Sequence, residues 1–113
     1  MRPTRSHMDE AEFERRAADA WKRVLDLFDD VDPDDADVEQ AGDVIRIDFR
    51  GGQRVVLNTQ RPARQIWLAG GAHAWHFSYD PATDRWYDDK GRGIELYAQI
   101  ASMTKQLIGL DVS

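Results

Sequence analysis

The hydrophobic pattern of the chain predicts a helix near its N-terminus. Asp9 followed by Glu12 is a capping-box variant, which predicts that this helix starts at Asp9. The segment Asp32-Pro33 disfavours continuation, so the helix should end near Asp30. Five apolar residues between these limits follow the helical spacing: Phe13, Ala17, Trp21, Val24 and Phe28.

A second amphipathic helix is predicted near the C-terminus. Its apolar positions are Leu96, Ile100, Met103 and Leu107, and their spacing places them on one face. Gly109 follows the last of them and is a plausible C-cap.

Between the helices the hydrophobic period falls to two, which is typical of strands with one buried face. Short turns, several of them rich in glycine, separate the apolar runs and favour antiparallel pairing. The pattern predicts six short strands, at about 36–40, 44–49, 54–58, 65–69, 74–79 and 85–87.

This order of elements predicts the α+β class. Each helix offers one apolar stripe and the antiparallel sheet offers one apolar face, so both helices should pack on the same face as a two-layer sandwich. The other sheet face is then open to solvent or to a partner. Ser6-His7-Met8 reads as a cloning junction or an upstream start, so we assign residues 8–113 to a single domain and exclude residues 1–7.

Composition excludes several classes of function. A formal net charge of -6 argues against nucleic-acid binding, which needs a basic face. No apolar stretch is long enough to cross a membrane. The absence of Cys excludes thiolate sites and fits a cytoplasmic protein. No nucleophile–base arrangement or phosphate-binding loop is visible, so we expect no enzymatic activity.

The charge pattern has one conspicuous feature, a segment from Arg23 to Arg46 with no other basic residue. Hard carboxylate ligands suit hard cations, whereas a solvated edge that blocks strand pairing explains the same charges equally well. An EF-hand fits poorly, because Asp35 stands at the required glycine and Ala41 at the bidentate glutamate. We call the carboxylates of this segment the acidic edge: Asp26, Asp29, Asp30, Asp32, Asp34, Asp35, Asp37 and Glu39.

A second candidate site surrounds the fourth predicted strand. If Ile66 and Leu68 pack under the helices, strand alternation directs Gln65 and Trp67 to the open face. An exposed Trp is a candidate anchor for protein binding, although cross-strand neighbours could equally cover it. The polar residues that could surround Trp67 are Asn58, Gln60, Arg64 and Gln65.

Two histidines in the fifth strand are weaker candidates. His73 and His76 are three residues apart, which places them on opposite faces of a strand. We therefore interpret them as structural or solvated residues and not as a shared metal site.

The chain resembles the frataxin family in its bacterial form, over residues 9–107. Three features carry the resemblance: the acidic first helix and loop, His76-Phe77 followed by Trp86 and Asp88-x-x-Gly91, and a central stretch. The central stretch reads Asn58-x-Gln60-x-Pro62-x-x-Gln65-Ile66-Trp67-Leu68-Ala69.

The resemblance implies the two-layer fold and a function in iron–sulfur cluster assembly. It implies weak, reversible binding of ferrous or ferric iron by the acidic edge. It also implies binding of a cysteine desulfurase and its scaffold protein, with Trp67 facing the partner and Asn58, Gln60, Arg64 and Gln65 around it. We expect a monomer, with iron-dependent oligomers as a further state.

The chain also departs from the family pattern. The loop 31–37 with Pro33 is peculiar to it, and Arg50 lies where some bacterial members carry an acid. The short segment after the second helix predicts little cover for the groove between the helices.

Two alternative functions stay open. One is a ferroxidase that oxidises and stores iron, which would need closely spaced metals in a defined site. The other is a metal-independent interaction module whose acidic edge docks on a basic partner.

Overall fold

The computed structural model describes residues 8–113, so the expectations for residues 1–7 lie outside the described part. Two helices flank six strands, in the predicted order and class. The elements are α1 (Glu10–Leu27), β1 (Ala36–Ala41), β2 (Val44–Phe49), β3 (Arg54–Gln60), β4 (Gln65–Gly70), β5 (His73–Asp80), β6 (Arg85–Asp88) and α2 (Leu96–Ile108).

The six strands form one antiparallel sheet in the order β1-β2-β3-β4-β5-β6. Alternate residues point to opposite faces, and only one face is covered by the helices. Ile45, Ile47, Leu57, Ile66 and Leu68 of the covered face are fully buried with the apolar stripes of α1 and α2. This confirms the two-layer sandwich and leaves the second face of the sheet open. No helix in residues 8–113 combines the length and apolarity needed to cross a bilayer.

The first helix begins as predicted but ends earlier. Asp9 caps α1 by accepting a hydrogen bond from the backbone N–H of Glu12. Phe28, expected in the last turn, is instead the C-cap, and its N–H donates to the carbonyl of Leu25 at 3.1 Å. No basic residue stabilises the last turn of α1. Carboxylates at the negative end of a helix are unfavourable, which favours an early end.

The end of the second helix was predicted correctly, whereas the position of the tail beyond it was not. Gly109 is the C-cap of α2 and has a φ of 75°, a conformation that favours glycine. The tail does cover the groove between the helices, contrary to expectation. Val112 is buried and lines this groove together with Leu27 and Tyr97. Leu110 of the tail also packs against the core.

A buried carboxylate orders the connection between β6 and α2. Asp88 accepts hydrogen bonds from Arg92 Nε (2.9 Å), the N–H of Ile94 (3.1 Å) and the N–H of Lys90 (3.3 Å). Burial opposes ionisation of this carboxyl, but these donors together hold its pKa below the usual value. Asp88 therefore ties the loop to the start of α2 as a carboxylate.

Candidate functional site

The acidic edge begins at the end of α1 and continues through the loop into β1. Asp26 lies in the last turn of α1. Asp29 and Asp30, which the sequence placed on the helix, lie in the turn that follows it. Asp32 and Asp34 lie in the loop, where Asp32 Oδ1 accepts a hydrogen bond from the N–H of Asp34 at 2.9 Å.

The strand part of the acidic edge has the predicted orientation. Asp37 and Glu39 are exposed on β1, on the face of the sheet that the helices leave open. Ala36 is buried under the helices. β1 is the edge strand of the sheet, so its charges also oppose edge-to-edge pairing with another sheet.

Two arginines from β2 and its turn compensate part of the acidic edge. Arg46 lies opposite Glu39 in the β1–β2 register and forms an ion pair with it. Arg50 forms an ion pair with Asp35, and its Nη2 also donates to the carbonyl of Ile108 at 3.1 Å. Six carboxylates are exposed and have no basic partner within residues 8–113: Asp26, Asp29, Asp30, Asp32, Asp34 and Asp37.

The described residues contain no group of three or more His, Cys, Asp or Glu side chains that could hold a metal ion. A groove of about 450 Å³ lies between the end of α1 and the C-terminal tail. Asp26, Asp30, Asp32, Asp35 and Asp111 line it. The acidic edge thus offers oxygen ligands spread along a surface and not a preformed coordination sphere.

Trp67 lies on the open face, where it stacks on a histidine. Its indole and the imidazole of His76 have ring centroids 4.1 Å apart and planes inclined by 14°. Asn58 is the register partner of Trp67 on the other side, in β3. Trp67 is therefore half-buried, with cross-strand neighbours on both sides and its outer surface toward solvent.

Hydrogen bonds fix the orientation of Trp67. Its Nε1 donates to Gln65 Oε1 at 3.0 Å. Gln65 Nε2 in turn donates to Asp89 Oδ2 at 3.1 Å and to Ser78 Oγ at 3.3 Å. Asp89 Oδ2 also lies 3.7 Å from His76 Nδ1. These neighbours therefore hold the indole in one orientation, as in a preorganised binding surface.

Four of the five predicted partner-facing residues share this surface. Gln60 lies opposite Gln65 at the end of the β3–β4 pair, next to the pair formed by Asn58 and Trp67. We call the surface formed by Asn58, Gln60, Gln65, Trp67 and His76 the Trp67 patch.

Arg64 lies apart from the Trp67 patch. It occupies the β3–β4 turn with a φ of 53°. Its Nε donates to the carbonyl of Met8 at 3.2 Å, and its Nη1 donates to the carbonyl of Arg61. These bonds tie the turn to the residue before α1, so the guanidinium already has two partners within the chain.

An ion-pair chain occupies the open face on the β1–β3 side. Asp48 accepts hydrogen bonds from Arg54 Nε at 2.6 Å and Arg46 Nε at 3.2 Å. The hydrogen bond from Arg54 is the main cause that holds the pKa of Asp48 below its usual value. This side of the open face is locally neutralised, whereas the side around Trp67 is aromatic and amide-rich.

Sequence reasoning missed His76 and Asp89 as members of this surface. His76 was rightly placed on the face opposite to His73, but its stack on Trp67 was not foreseen. The turn between β4 and β5 is Gly71-Ala72, one residue later than the Gly70-Gly71 turn that the sequence suggests, and this difference sets the register. Once Gly70 pairs with His73, the antiparallel register brings Trp67 opposite His76.

Curated relatives are similar to this chain in sequence over most of its length. The iron-sulfur cluster assembly protein CyaY of Azotobacter vinelandii is 36% identical over 102 residues, which cover 90% of this chain and 91% of that protein. The protein of the same name from Pseudomonas aeruginosa is 39% identical over 82 residues, which cover 73% of this chain and 75% of that protein.

Solved structures show the same fold at lower identity. Frataxin from Psychromonas ingrahamii superposes with a TM-score of 0.85 at 23% identity, covering 94% of this chain and 97% of that chain. Trimeric frataxin of Saccharomyces cerevisiae in complex with ferrous iron has a TM-score of 0.60 at 20% identity, covering 97% and 94%. The family model described as a frataxin-like domain matches residues 6–110. The chain therefore belongs to the frataxin-like family.

Proposed function

We propose that this protein acts in iron–sulfur cluster assembly as an iron-binding regulator that docks on a cysteine desulfurase complex. The relatives named as iron-sulfur cluster assembly proteins support the process. One observation carries the proposal: six exposed carboxylates without a basic partner in residues 8–113, on the same small domain as a pre-oriented, half-buried Trp on the open sheet face. In this proposal the protein performs no catalytic step.

Iron is the cargo, and the acidic edge is the surface that holds it. Carboxylate oxygens suit iron as hard ligands, and the yeast structure with ferrous iron supports this cargo. Because the described residues gather no three-donor group, iron should keep most of its water ligands. We therefore expect binding that is weak, reversible, sensitive to salt and poorly selective among divalent cations.

Partner docking uses both surfaces. The acidic edge steers the domain toward a basic surface of the desulfurase and its scaffold protein by long-range attraction. The Trp67 patch then supplies the contact that excludes water, as buried aromatic anchors do at protein interfaces. The unpaired carboxylates thus govern encounter, and the indole governs how long the complex lasts.

An anaerobic titration with ferrous iron, observed by NMR, tests the iron part of the proposal. We expect paramagnetic broadening confined to residues 26–39, with no broadening around Trp67. Broadening centred elsewhere would show that the acidic edge is not the iron surface.

A charge-matched pair of variants controls this titration. The test variant is Asp29→Asn, Asp30→Asn, Asp34→Asn. The control removes the same number of charges from the exposed cluster around Arg61: Glu10→Gln, Glu14→Gln, Asp43→Asn. We expect iron affinity to fall in the test variant and to stay unchanged in the control. An equal loss in both would mean that net charge alone attracts iron.

A metal-independent interaction module is the second candidate, and the lack of a three-donor group within residues 8–113 favours it. The variant Asp29→Asn, Asp30→Asn, Asp32→Asn, Asp34→Asn separates the two functions. Loss of desulfurase binding with iron affinity intact would support the module. A fall in iron affinity together with a modest weakening of desulfurase binding supports the iron-binding regulator.

A further inference from the structure

The two edges of the sheet differ in how they are closed. At one edge β6 has only four residues, and the chain itself covers it. Tyr87 forms a bridge with Glu95, and the N–H of Asp88 donates to the carbonyl of Ile94 at 2.9 Å. At the other edge β1 has six residues, and its only strand partner within residues 8–113 is β2. A long, uncovered edge strand is a template for pairing with another chain.

The backbone groups that face outward from β1 belong to Val38 and Gln40. The N–H of Arg50 donates to the carbonyl of Asp35 at 2.8 Å, so Asp35 and every second residue after it direct their backbone groups toward β2. The residues between them direct their N–H and C=O groups away from the sheet. Within residues 8–113 the N–H and C=O groups of Val38 and Gln40 have no hydrogen-bond partner. We call these four groups the free edge of β1.

An apolar groove lies beside the free edge, between α1 and the hairpin that joins β1 to β2. Its volume is about 400 Å³, and its lining includes Ala18, Trp21 and Leu25 of α1 and Gln40 of β1. Leu25 and Val38 pack against the core but are only half-buried. A strand added to β1 would direct every second side chain to this side of the sheet, where apolar side chains would cover Leu25 and Val38.

The remaining side chains of an added strand would lie on the open face beside Asp37 and Glu39. Glu39 already pairs with an arginine of β2, whereas Asp37 is exposed and has no basic partner in the described part of the chain. Asp32 and Asp34, in the loop before β1, are also exposed and belong to the same set of unpaired carboxylates. At the hairpin end the groove is lined by Lys22. Basic side chains of a partner are therefore favoured near the start of β1 and disfavoured near its end.

We propose that β1 accepts an extended segment of a partner protein as a seventh, antiparallel strand. The segment alternates apolar side chains, which face the groove beside α1, with side chains on the open face, and those next to Asp37 are Lys or Arg. Main-chain hydrogen bonds to the free edge supply affinity, and the alternate side chains supply specificity. A second copy of the chain is disfavoured, because its own β1 would bring like charges next to Asp37 and Glu39. This docking requires neither iron nor Trp67, so it goes beyond the proposed function.

The probe is the peptide acetyl-Thr-Val-Thr-Val-Lys-Val-Lys-amide, titrated into the full chain without iron. When it pairs antiparallel with β1, its Val side chains face the groove and its Lys side chains lie near the start of β1. We expect a saturable shift of the backbone N–H signals of Val38 and Gln40, observed by NMR. Absence of a saturable shift, or shifts centred on β6 or on Trp67, would overturn the proposal.

A matched pair of N-methylated peptides tests the strand pairing itself. Residues that lie opposite each other in an antiparallel pair share a face of the sheet, so each Val of the probe directs its N–H toward β1 and each Thr or Lys directs it toward solvent. N-methylation of the central Val should weaken binding about tenfold, because it removes one donor to the free edge. N-methylation of the Lys that follows should leave binding unchanged. Equal affinities of the two peptides would show that the probe does not pair as a strand.

The charge argument is tested on both molecules. A probe with Glu in place of both Lys residues should give no saturable shift. In the protein, Asp37→Asn should weaken binding of the Lys probe about two- to fivefold, because one opposite charge beside the added strand is lost. Asp19→Asn should leave it unchanged, since Asp19 is exposed on α1 and is not among the residues that line the groove. Equal binding of the Lys and Glu probes, or equal affinities of the two variants, would overturn the choice of a basic partner.

A second copy of the chain is the other occupant that the free edge could accept. Pairing of two copies would appear as slower tumbling at higher protein concentration together with loss of the shift caused by the probe, and would overturn the proposal. The iron titration of the proposed function uses no peptide and the probe titration uses no iron, so the two proposals fail independently.

Discussion

The acidic edge and the Trp67 patch are built in opposite ways. The acidic edge consists of charges on a helix end, a loop and an edge strand, and six of its eight carboxylates have no basic partner within residues 8–113. The Trp67 patch lies on central strands, and each of its side chains is placed by cross-strand pairing or hydrogen bonds. In the proposed function the first surface acts through summed charge, whereas the second acts through the geometry of a few side chains.

This difference has a consequence for mutations. A surface of summed charge loses its effect gradually as charges are removed, and salt screens it. A preorganised aromatic anchor concentrates binding energy in one side chain and is insensitive to salt. The following predictions use this contrast, in order of the expected effect on binding.

Trp67→Ala should have the largest effect. Loss of an interface anchor costs about 2 kcal/mol or more, so we expect binding to a cysteine desulfurase–scaffold complex to weaken about 30-fold. Calorimetry or biolayer interferometry measures this change. Trp75→Ala is the matched control, because Trp75 is also half-buried but lies on the helix side of the same sheet. Equal losses in both variants would indicate general destabilisation.

His76→Ala should have an intermediate effect. Stacked aromatic pairs contribute about 0.5–1.5 kcal/mol, and without the stack the indole is less well oriented. We expect partner affinity to fall about 2- to 13-fold, and His76→Phe to restore it. The same affinity assay checks both variants. If His76→Ala bound the partner with unchanged affinity, the hydrogen bond from Trp67 to Gln65 would be enough to orient Trp67.

The variant Asp29→Asn, Asp30→Asn, Asp34→Asn should have the smallest effect on partner binding but should stabilise the fold. These carboxylates follow the negative end of α1 and have like-charged neighbours. We expect the free energy of unfolding to rise by up to about 1 kcal/mol, measured by urea denaturation. A loss of stability would mean that these side chains serve the fold and not a ligand.

The buried carboxylate of Asp88 stabilises the fold, in contrast to the exposed carboxylates of the acidic edge. Its pKa is lower in the folded state than in the unfolded chain, so its contribution is present above the usual carboxyl pKa. That contribution is lost as the pH falls through the folded pKa. In Asp88→Asn the free energy of unfolding should therefore fall less steeply as the pH is lowered. Urea unfolding at several acid pH values measures this dependence. The variant Asp29→Asn, Asp30→Asn, Asp34→Asn should keep the wild-type decrease in the free energy of unfolding at acid pH. If it lost this decrease, Asp88 would not be its cause.

Sequence reasoning recovered the fold because local signals agreed with one another. Asp9 and Gly109 capped the helices as predicted, and the period-two pattern placed Ile45, Ile47 and Leu57 on the covered face. The end of α1 was the main error, because the pattern indicated Pro33 as the breaker. The helix ends six residues before Pro33, where carboxylates at its negative end are unfavourable.

The two surfaces were unequally predictable. The acidic edge is contiguous in the chain, so its residues could be read directly. Its partial neutralisation by Arg46 and Arg50 depends on strand register and turn geometry, which adjacency in sequence does not reveal. For the same reason His76 was missed, and Arg64 was grouped with Trp67 although its guanidinium reaches Met8. Adjacency in the sequence was a good guide to where charge accumulates. It was a poor guide to the direction of side chains in turns.

The salt dependence of desulfurase binding tests the central claim most directly. The affinity of the wild type, of Trp67→Ala and of the variant Asp29→Asn, Asp30→Asn, Asp34→Asn is measured across a range of salt concentrations. If the acidic edge attracts the partner and the indole anchors it, the affinity of the triple variant should depend less on salt than that of the wild type. Trp67→Ala should bind more weakly at every salt concentration, with the same salt dependence as the wild type. A shallower dependence in Trp67→Ala, or an unchanged one in the triple variant, would contradict the division of roles between the two surfaces.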